Sequence, residues 1–210
     1  MKLLFDAESH TYSLDGRKIP SVTEIVSPIL APKYKSDGTA IMEQAKRRGS
    51  KVHEFCQLID LGCPVDALEI DPELAGYIKA YLSFLRDYRP QWDMVEKPVY
   101  HPQGLYAGTL DRHGCIDGKP CIVDIKTTGT MDRPSRLALA FQLALYWKCL
   151  ACVPARLYGV QLKKSGGYKL FELQQILSKD YTSMPVRFPD MTNQLINLAY
   201  LTGGYEWQTN

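Results

Sequence analysis

Residues 108–128 read GTLDRHGCIDGKPCIVDIKTT, and the pairing inside this stretch decides how the rest of the chain is read. Asp117-Gly118 has the composition of a two-residue hairpin turn. With such a turn Ile116 faces Lys119, and counting outward places Asp111 opposite Asp124 and Thr109 opposite Lys126. Side chains alternate along a strand, so Asp124 and Lys126 share one face while Val123, Ile125 and Thr127 share the other. Two carboxylates and an ammonium then gather on a strand that is otherwise apolar. Like charges directly opposed on a sheet are destabilising, which argues against a purely structural purpose. Pro120, which has no N–H to donate, is placed to shift this register by a bulge.

A hard divalent cation resolves the conflict, because ions such as Mg²⁺ bind through one or two carboxylates and keep positions open for water and phosphate oxygens. A lysine beside such an ion positions an attacking water or stabilises charge developing on a phosphate. The competing reading is a solvated hairpin with scattered charges. It accounts for Asp111 alone about equally well, but poorly for Asp111, Asp124 and Lys126 together.

The bulk numbers set the frame. The chain has 210 residues, 45% apolar and 23% charged, which suits one domain of ordinary globular composition. A formal net charge of +2 does not by itself imply a nucleic-acid or membrane partner. No apolar run approaches the roughly 20 residues of a membrane span, and MKLLFD lacks the core of a signal peptide, so a cytoplasmic location is expected. Six cysteines in such a chain are expected to be reduced thiols, with Cys56 and Cys121 as small buried residues.

Three units are expected along the chain: 1–90, a hairpin followed by helices; 91–176, the sheet with its helix; and 177–210, a C-terminal helix. His10–Leu14 precedes the turn Asp15-Gly16. Ser21 and Glu24 have capping-box spacing at a helix start, and Pro28 should limit or kink that helix. Further helices are expected over Thr39–Leu61, with Gly62 as its stop, and over Pro72–Tyr88. Strands follow at 94–100, 105–116 and 120–128, then a helix from Ser135 to about Ala151. Strands at 155–164 and 167–176 and a last helix from about Pro189 to Gly203 complete an α/β sandwich around a mixed sheet.

Three blocks together resemble the PD-(D/E)XK nuclease superfamily. GTLD at Gly108–Asp111 and IVDIK at Ile122–Lys126 look like its metal-binding core. Gln142 and Tyr146 in FQLALYW match the Q-x-x-x-Y signature of its RecB-like exonuclease branch, and Gly49 and His53 in RGSKVHEF resemble that branch's G-x-x-x-H helix. The N-terminal HTYSLDGRKIPSVTEIV looks like the start of phage and prophage members. The resemblance implies a metal-dependent DNA exonuclease acting in phage or prophage recombination, replication or repair, with a restriction-type endonuclease or a non-catalytic DNA-binding protein as the alternatives.

It further implies Mg²⁺ or Mn²⁺ held by His53, Asp111, Asp124 and the Ile125 carbonyl, with Lys126 orienting water and Gln142 and Tyr146 supporting the site or touching DNA. Glu96, on the strand before the hairpin, is placed to reach the metal or a water. Lys46, Arg47, Arg48 and Lys51 cluster on the His53 helix, where they would attract a phosphate backbone, with Lys33 and Lys35 extending the path. Tyr106 and Trp147 suit base stacking less well than core packing. Cys149 and Cys152 form a C-x-x-C, but the family's spaced C-terminal cysteines are missing, so no iron–sulfur cluster is expected. A zinc site of Cys115, Cys121, Cys149 and Cys152 is weakly supported, because Cys121 should face away from Asp124. The partners implied are DNA and a phage recombinase or single-strand-binding protein, and a homo-oligomer would account for processive action.

Overall fold

The structure, a computed structural model, describes residues 1–6, 9–34, 39–150, 155–173 and 188–205. Its architecture is α/β: a three-stranded antiparallel sheet, a mixed five-stranded sheet, and helices on both faces of the larger sheet. Among the described residues no helix is long and apolar enough to cross a membrane.

The small sheet contains β1 (Leu3–Asp6), β2 (Thr11–Leu14) and β3 (Arg17–Ile19) in that order. Asp15 and Gly16, at φ 49° and 83°, make the expected turn, since positive φ at both central residues gives the twist a tight hairpin needs. Strand β1 was not foreseen. It pairs with β2 from Leu3↔Leu14 to Asp6↔Thr11, and Asp15 seals that edge by accepting a 2.7 Å hydrogen bond from the Lys2 N–H.

Helix α1 (Val22–Tyr34) opens with the expected capping box: Glu24 N–H donates to Ser21 Oγ at 3.1 Å, and Ser21 N–H donates to Glu24 Oε2 at 2.7 Å. It continues through Pro28 rather than stopping there. A proline leaves the carbonyl four residues earlier without its helical donor, and here the Ser27 hydroxyl donates to that Glu24 carbonyl at 2.9 Å. Helices α2 (Thr39–Asp60) and α3 (Pro72–Tyr88) lie where their periodicity placed them. Gly62, at φ 88°, follows α2, and Asp71 caps α3 by accepting from Glu73 N–H at 2.9 Å.

The large sheet runs β4 (Gln91–Tyr100), β5 (Ala107–Ile116), β6 (Lys119–Lys126), β7 (Arg156–Leu162), β8 (Tyr168–Glu172). Among the described strands of this sheet only β6 and β7 pair in parallel, joined across one face by α4 (Arg133–Cys149). The last helix is α5 (Phe188–Gly203); the ends of the strand expected over 167–176 and of the helix expected to reach Ala151 fall outside the described residues.

Pro120 does not disturb the hairpin. The ladder runs from Ile116↔Lys119 through Cys115↔Pro120 to Arg112↔Val123, with Asp111 and Asp124 one step beyond. The expected facing of Thr109 and Lys126 is not formed. Lys126 instead pairs with Gln161 of β7, and Thr109 with Pro98 of β4, as the two strands diverge toward different neighbours.

Strand β6 explains its own composition. Cys121, Val123 and Ile125 pack with Val52, Cys56, Ile78 and Phe84 of α2 and α3, whereas Ile122 packs with α1, α4 and α5. A strand covered on both faces reads as a nearly continuous apolar run. Tyr106 and Trp147 belong to the α4 side of this core, as packing favoured.

Candidate active site

Asp124 and Lys126 lie at the C-terminal end of β6, where α2, β4, β5 and α4 meet. Asp111 Oδ2 accepts the Ile125 N–H at 2.7 Å, so one carboxylate is locked to the neighbouring strand just past the ladder. Asp124 is 1% exposed, with Oδ2 2.8 Å from Lys126 Nζ. Apart from that ion pair, neither Asp124 oxygen is hydrogen-bonded among the described residues. Burial, and then the adjacent Asp111 charge, push the Asp124 carboxyl up to about 6 in spite of Lys126. Lys126 keeps a side-chain exposure of 34% and so reaches solvent from this buried anchor.

His53 arrives from α2, one turn after Gly49. Its Nε2 is 3.0 Å from the Ile125 carbonyl, its Nδ1 3.2 Å from Glu96 Oε1 and 3.6 Å from Asp111 Oδ2. Both ring nitrogens face acceptors, an arrangement that the doubly protonated ring satisfies. Burial works against that charge, but Asp111 and Glu96 outweigh it and raise the His53 pKa to about 9. Donor atoms of His53, Glu96 and Asp111 lie within 4.8 Å of one another. Asp124, on the same strand as Ile125, is not one of these three.

Glu96 is more firmly placed than its sequence position promised. It has φ 45° in the middle of β4, a left-handed conformation that a glutamate adopts only when its surroundings impose it. The twist brings Oε1 to His53 and to Arg112 Nη1, at 2.9 Å.

Arg112 was missed by sequence reasoning. Its side chain is 0% exposed, and Nε donates to Asp60 Oδ2 at 2.5 Å while Nη1 also donates to the Asp111 carbonyl at 2.6 Å. The guanidinium carbon lies 5.9 Å from the Tyr81 ring centroid, and the Tyr81 hydroxyl donates to Asp60 at 2.6 Å. One signal did exist. Val52, Cys56 and Asp60 occupy successive turns of α2, so a carboxylate on that buried stripe demanded a buried cation. Gln161 was also missed: buried on β7, its amide donates to the Thr128 and Gly129 carbonyls at 2.8 and 3.2 Å and fixes the segment that leaves Lys126.

Gln142 and Tyr146 face the site from α4. Tyr146 is 3% exposed, and burial together with the Asp111 and Asp124 charges holds its phenol well above the usual range, so it remains a proton donor. Gly108 makes room for it: a Cβ there would lie 2.8 Å from Tyr146 Cε1 and 3.1 Å from Val22 Cγ2. Gly49 has a milder reason, since a Cβ would meet Thr127 Oγ1 at 3.6 Å, an ordinary contact.

A cleft of about 630 Å³ opens onto this assembly, lined by His53, Glu96, Asp111, Gly108, Gln142 and Tyr146 together with residues of the small sheet and α2. Of the basic cluster, Lys46 and Lys51 are exposed, Arg47 pairs with Glu43 at 3.9 Å, and Arg48 lies 5.8 Å from the Tyr77 ring centroid. None of the four lines the cleft, where α2 presents Ser50, Glu54 and Gln57 instead. Lys35 and the side chain of Lys33 fall outside the described residues, as does Cys152. Cys121 and Cys149 pack on opposite faces of the sheet and do not converge.

The fold and site together define an α/β protein with a histidine–carboxylate cluster beside a buried Asp124 paired with a partly exposed Lys126. No family model and no curated protein matches the chain. Among solved structures, the crystal structure of SSO0001 aligns at 14% identity over 85% of this chain and 72% of that one, with a TM-score of 0.38.

Proposed function

We propose that the chain is a metal-dependent deoxyribonuclease with a PD-(D/E)XK core, an exonuclease of the RecB-like type serving phage or prophage recombination, replication or repair. The observation that carries this reading is the convergence of His53, Asp111, Asp124 and Lys126 around the Ile125 peptide. The donor set fits Mg²⁺ or Mn²⁺. It offers carboxylate and carbonyl oxygens and one imidazole, and it includes a buried carboxylate whose only charged neighbour at bonding distance, among the described residues, is Lys126.

His53, Asp111, Asp124 and the Ile125 carbonyl would hold the ion, with Glu96 a further carboxylate on the same cluster. When bound, it supplies Lewis acidity toward a phosphate oxygen and lowers the pKa of a water. In the metal-free chain the protonated His53 ring provides the positive charge between Glu96 and Asp111. Lys126, anchored on Asp124, orients the attacking water and offsets charge growing on the phosphate. Tyr146 and Gln142 line the cleft as hydrogen-bond donors to the substrate backbone.

The test is incubation with Mg²⁺ or Mn²⁺ and end-labelled linear single-stranded DNA, linear double-stranded DNA and closed circles, beside Asp124→Ala and Lys126→Ala. Loss of linear DNA with circles spared, abolished in both variants, is the expected outcome. Discrete fragments from closed circles would move the reading to an endonuclease. Tight binding without metal-dependent cleavage of any substrate would refute catalysis.

A further inference from the structure

The cleft has a second wall that the chemistry of the site does not use. Phe5 of β1, His10 just before β2 and Tyr12 of β2 line it together with residues of α2. Their rings form one block: Phe5 stacks on Tyr12 at 4.7 Å between centroids with planes 25° apart, and His10 meets Phe5 edge-on at 5.3 Å. Tyr12 is 2% exposed and its hydroxyl is 2.9 Å from Thr109 Oγ1, so the block is tied to β5 two residues before Asp111. His10 holds φ 54°, a left-handed conformation costly for a non-glycine residue, and its ring is exposed. Phe5 is half-buried.

An aromatic block beside a phosphodiester-cleaving centre has one chemically matched ligand, because every nucleobase presents a π-face of the same kind. The cleft's volume of about 630 Å³ lies in the range of small-molecule sites, which gives room for a splayed base. Among the described residues its lining includes no lysine or arginine, so contact with a base there falls to the rings.

We propose that Phe5 and His10 form a nucleobase-stacking subsite, so that the strand enters the cleft unpaired and the chain acts on single-stranded ends. This deepens the nuclease reading and rests on it for the identity of the ligand. The small sheet is then a specificity module, fixed to the catalytic sheet by the Ser21↔Ala107 bridge and the Tyr12–Thr109 hydrogen bond.

The experiment is fluorescence anisotropy with a labelled oligothymidylate, the same length of abasic backbone, and a blunt duplex, all without divalent metal. Wild type is compared with Phe5→Ala, Phe5→Leu and His10→Ala; Phe5→Leu keeps the apolar packing if the alanine variant unfolds, and circular dichroism checks folding. The expected result is about tenfold weaker binding of oligothymidylate by the folded variants, with abasic and duplex binding unchanged, in line with base stacking measured by alanine substitution. Equal affinity of wild type and variants for oligothymidylate, equal losses on all three ligands, or failure of wild type to bind single strands would each overturn the subsite. Because the readout is binding, selective loss in a protein that never cleaves would refute the nuclease reading alone.

Discussion

Replacing Arg112 by methionine removes a fully buried cation and strands Asp60, whose side chain is 2% exposed. Asp60 would keep the Tyr81 hydroxyl at 2.6 Å but lose its charged donor, while burial already lifts its pKa even with Arg112 beside it. Breaking a buried pair by deleting one partner costs about 3–5 kcal/mol. With a urea slope near ~3 kcal/mol/M, the unfolding midpoint should fall by about 1–2 M. Asp60→Asn alone should cost roughly 1–3 kcal/mol, since Arg112 keeps Glu96 and the Asp111 carbonyl. The double variant should be more stable than the sum of the singles implies, by about 1–3 kcal/mol. The assay is a double-mutant cycle by urea unfolding at pH 7 with slopes compared across the set. Effects that add within about 0.5 kcal/mol would refute the idea that this pair acts as one buried unit.

Other residues give sharper signs. Gly76→Ala in α3 should destabilise by about 1–3 kcal/mol in urea unfolding, against the usual gain for alanine in a helix, because its Cβ would lie 1.8 Å from the Lys164 carbonyl oxygen. Gly108→Ala should push Tyr146 aside; under the nuclease proposal it should lower cleavage of linear DNA in a protein that still folds, and unchanged cleavage would separate Tyr146 from the site. Glu24 is held below its usual range: burial alone would raise it, but the Tyr205 hydroxyl, the Ser21 N–H and hydroxyl, and Lys18 outweigh that. Its contribution is therefore present above the unfolded value, near pH 4, and lost as pH falls through the lower folded one. Thermal melts of Glu24→Gln should show a small deficit at pH 7 that closes as the pH falls through the lowered folded value.

What the sequence made legible was local. The Ser21–Glu24 box, the Asp15-Gly16 and Asp117-Gly118 turns, and the stripes of α2 and α3 are set by neighbours three or four residues apart, so composition exposes them. The placing of Asp111 beside Asp124 was legible because one turn fixes the hairpin register as far as Arg112↔Val123, one step short of them. Glu96 was only half legible, since nothing in a strand-like sequence announces a left-handed residue imposed by His53 and Arg112. The Arg112–Asp60 pair spans 52 residues, and the Ser27 hydroxyl that lets α1 pass Pro28 depends on a rotamer. Both are decided by tertiary surroundings rather than by pattern.

Helix α2 is held at two points seven residues apart, by His53 on the Ile125 carbonyl and by Asp60 on Arg112. At 1.5 Å per residue those points are separated by about 10 Å along the axis. A rod pinned twice can neither slide nor roll without breaking a buried contact at one end. The width of the cleft is thus a property of the scaffold before any ligand arrives, and the ordering cost of shaping it is met during folding.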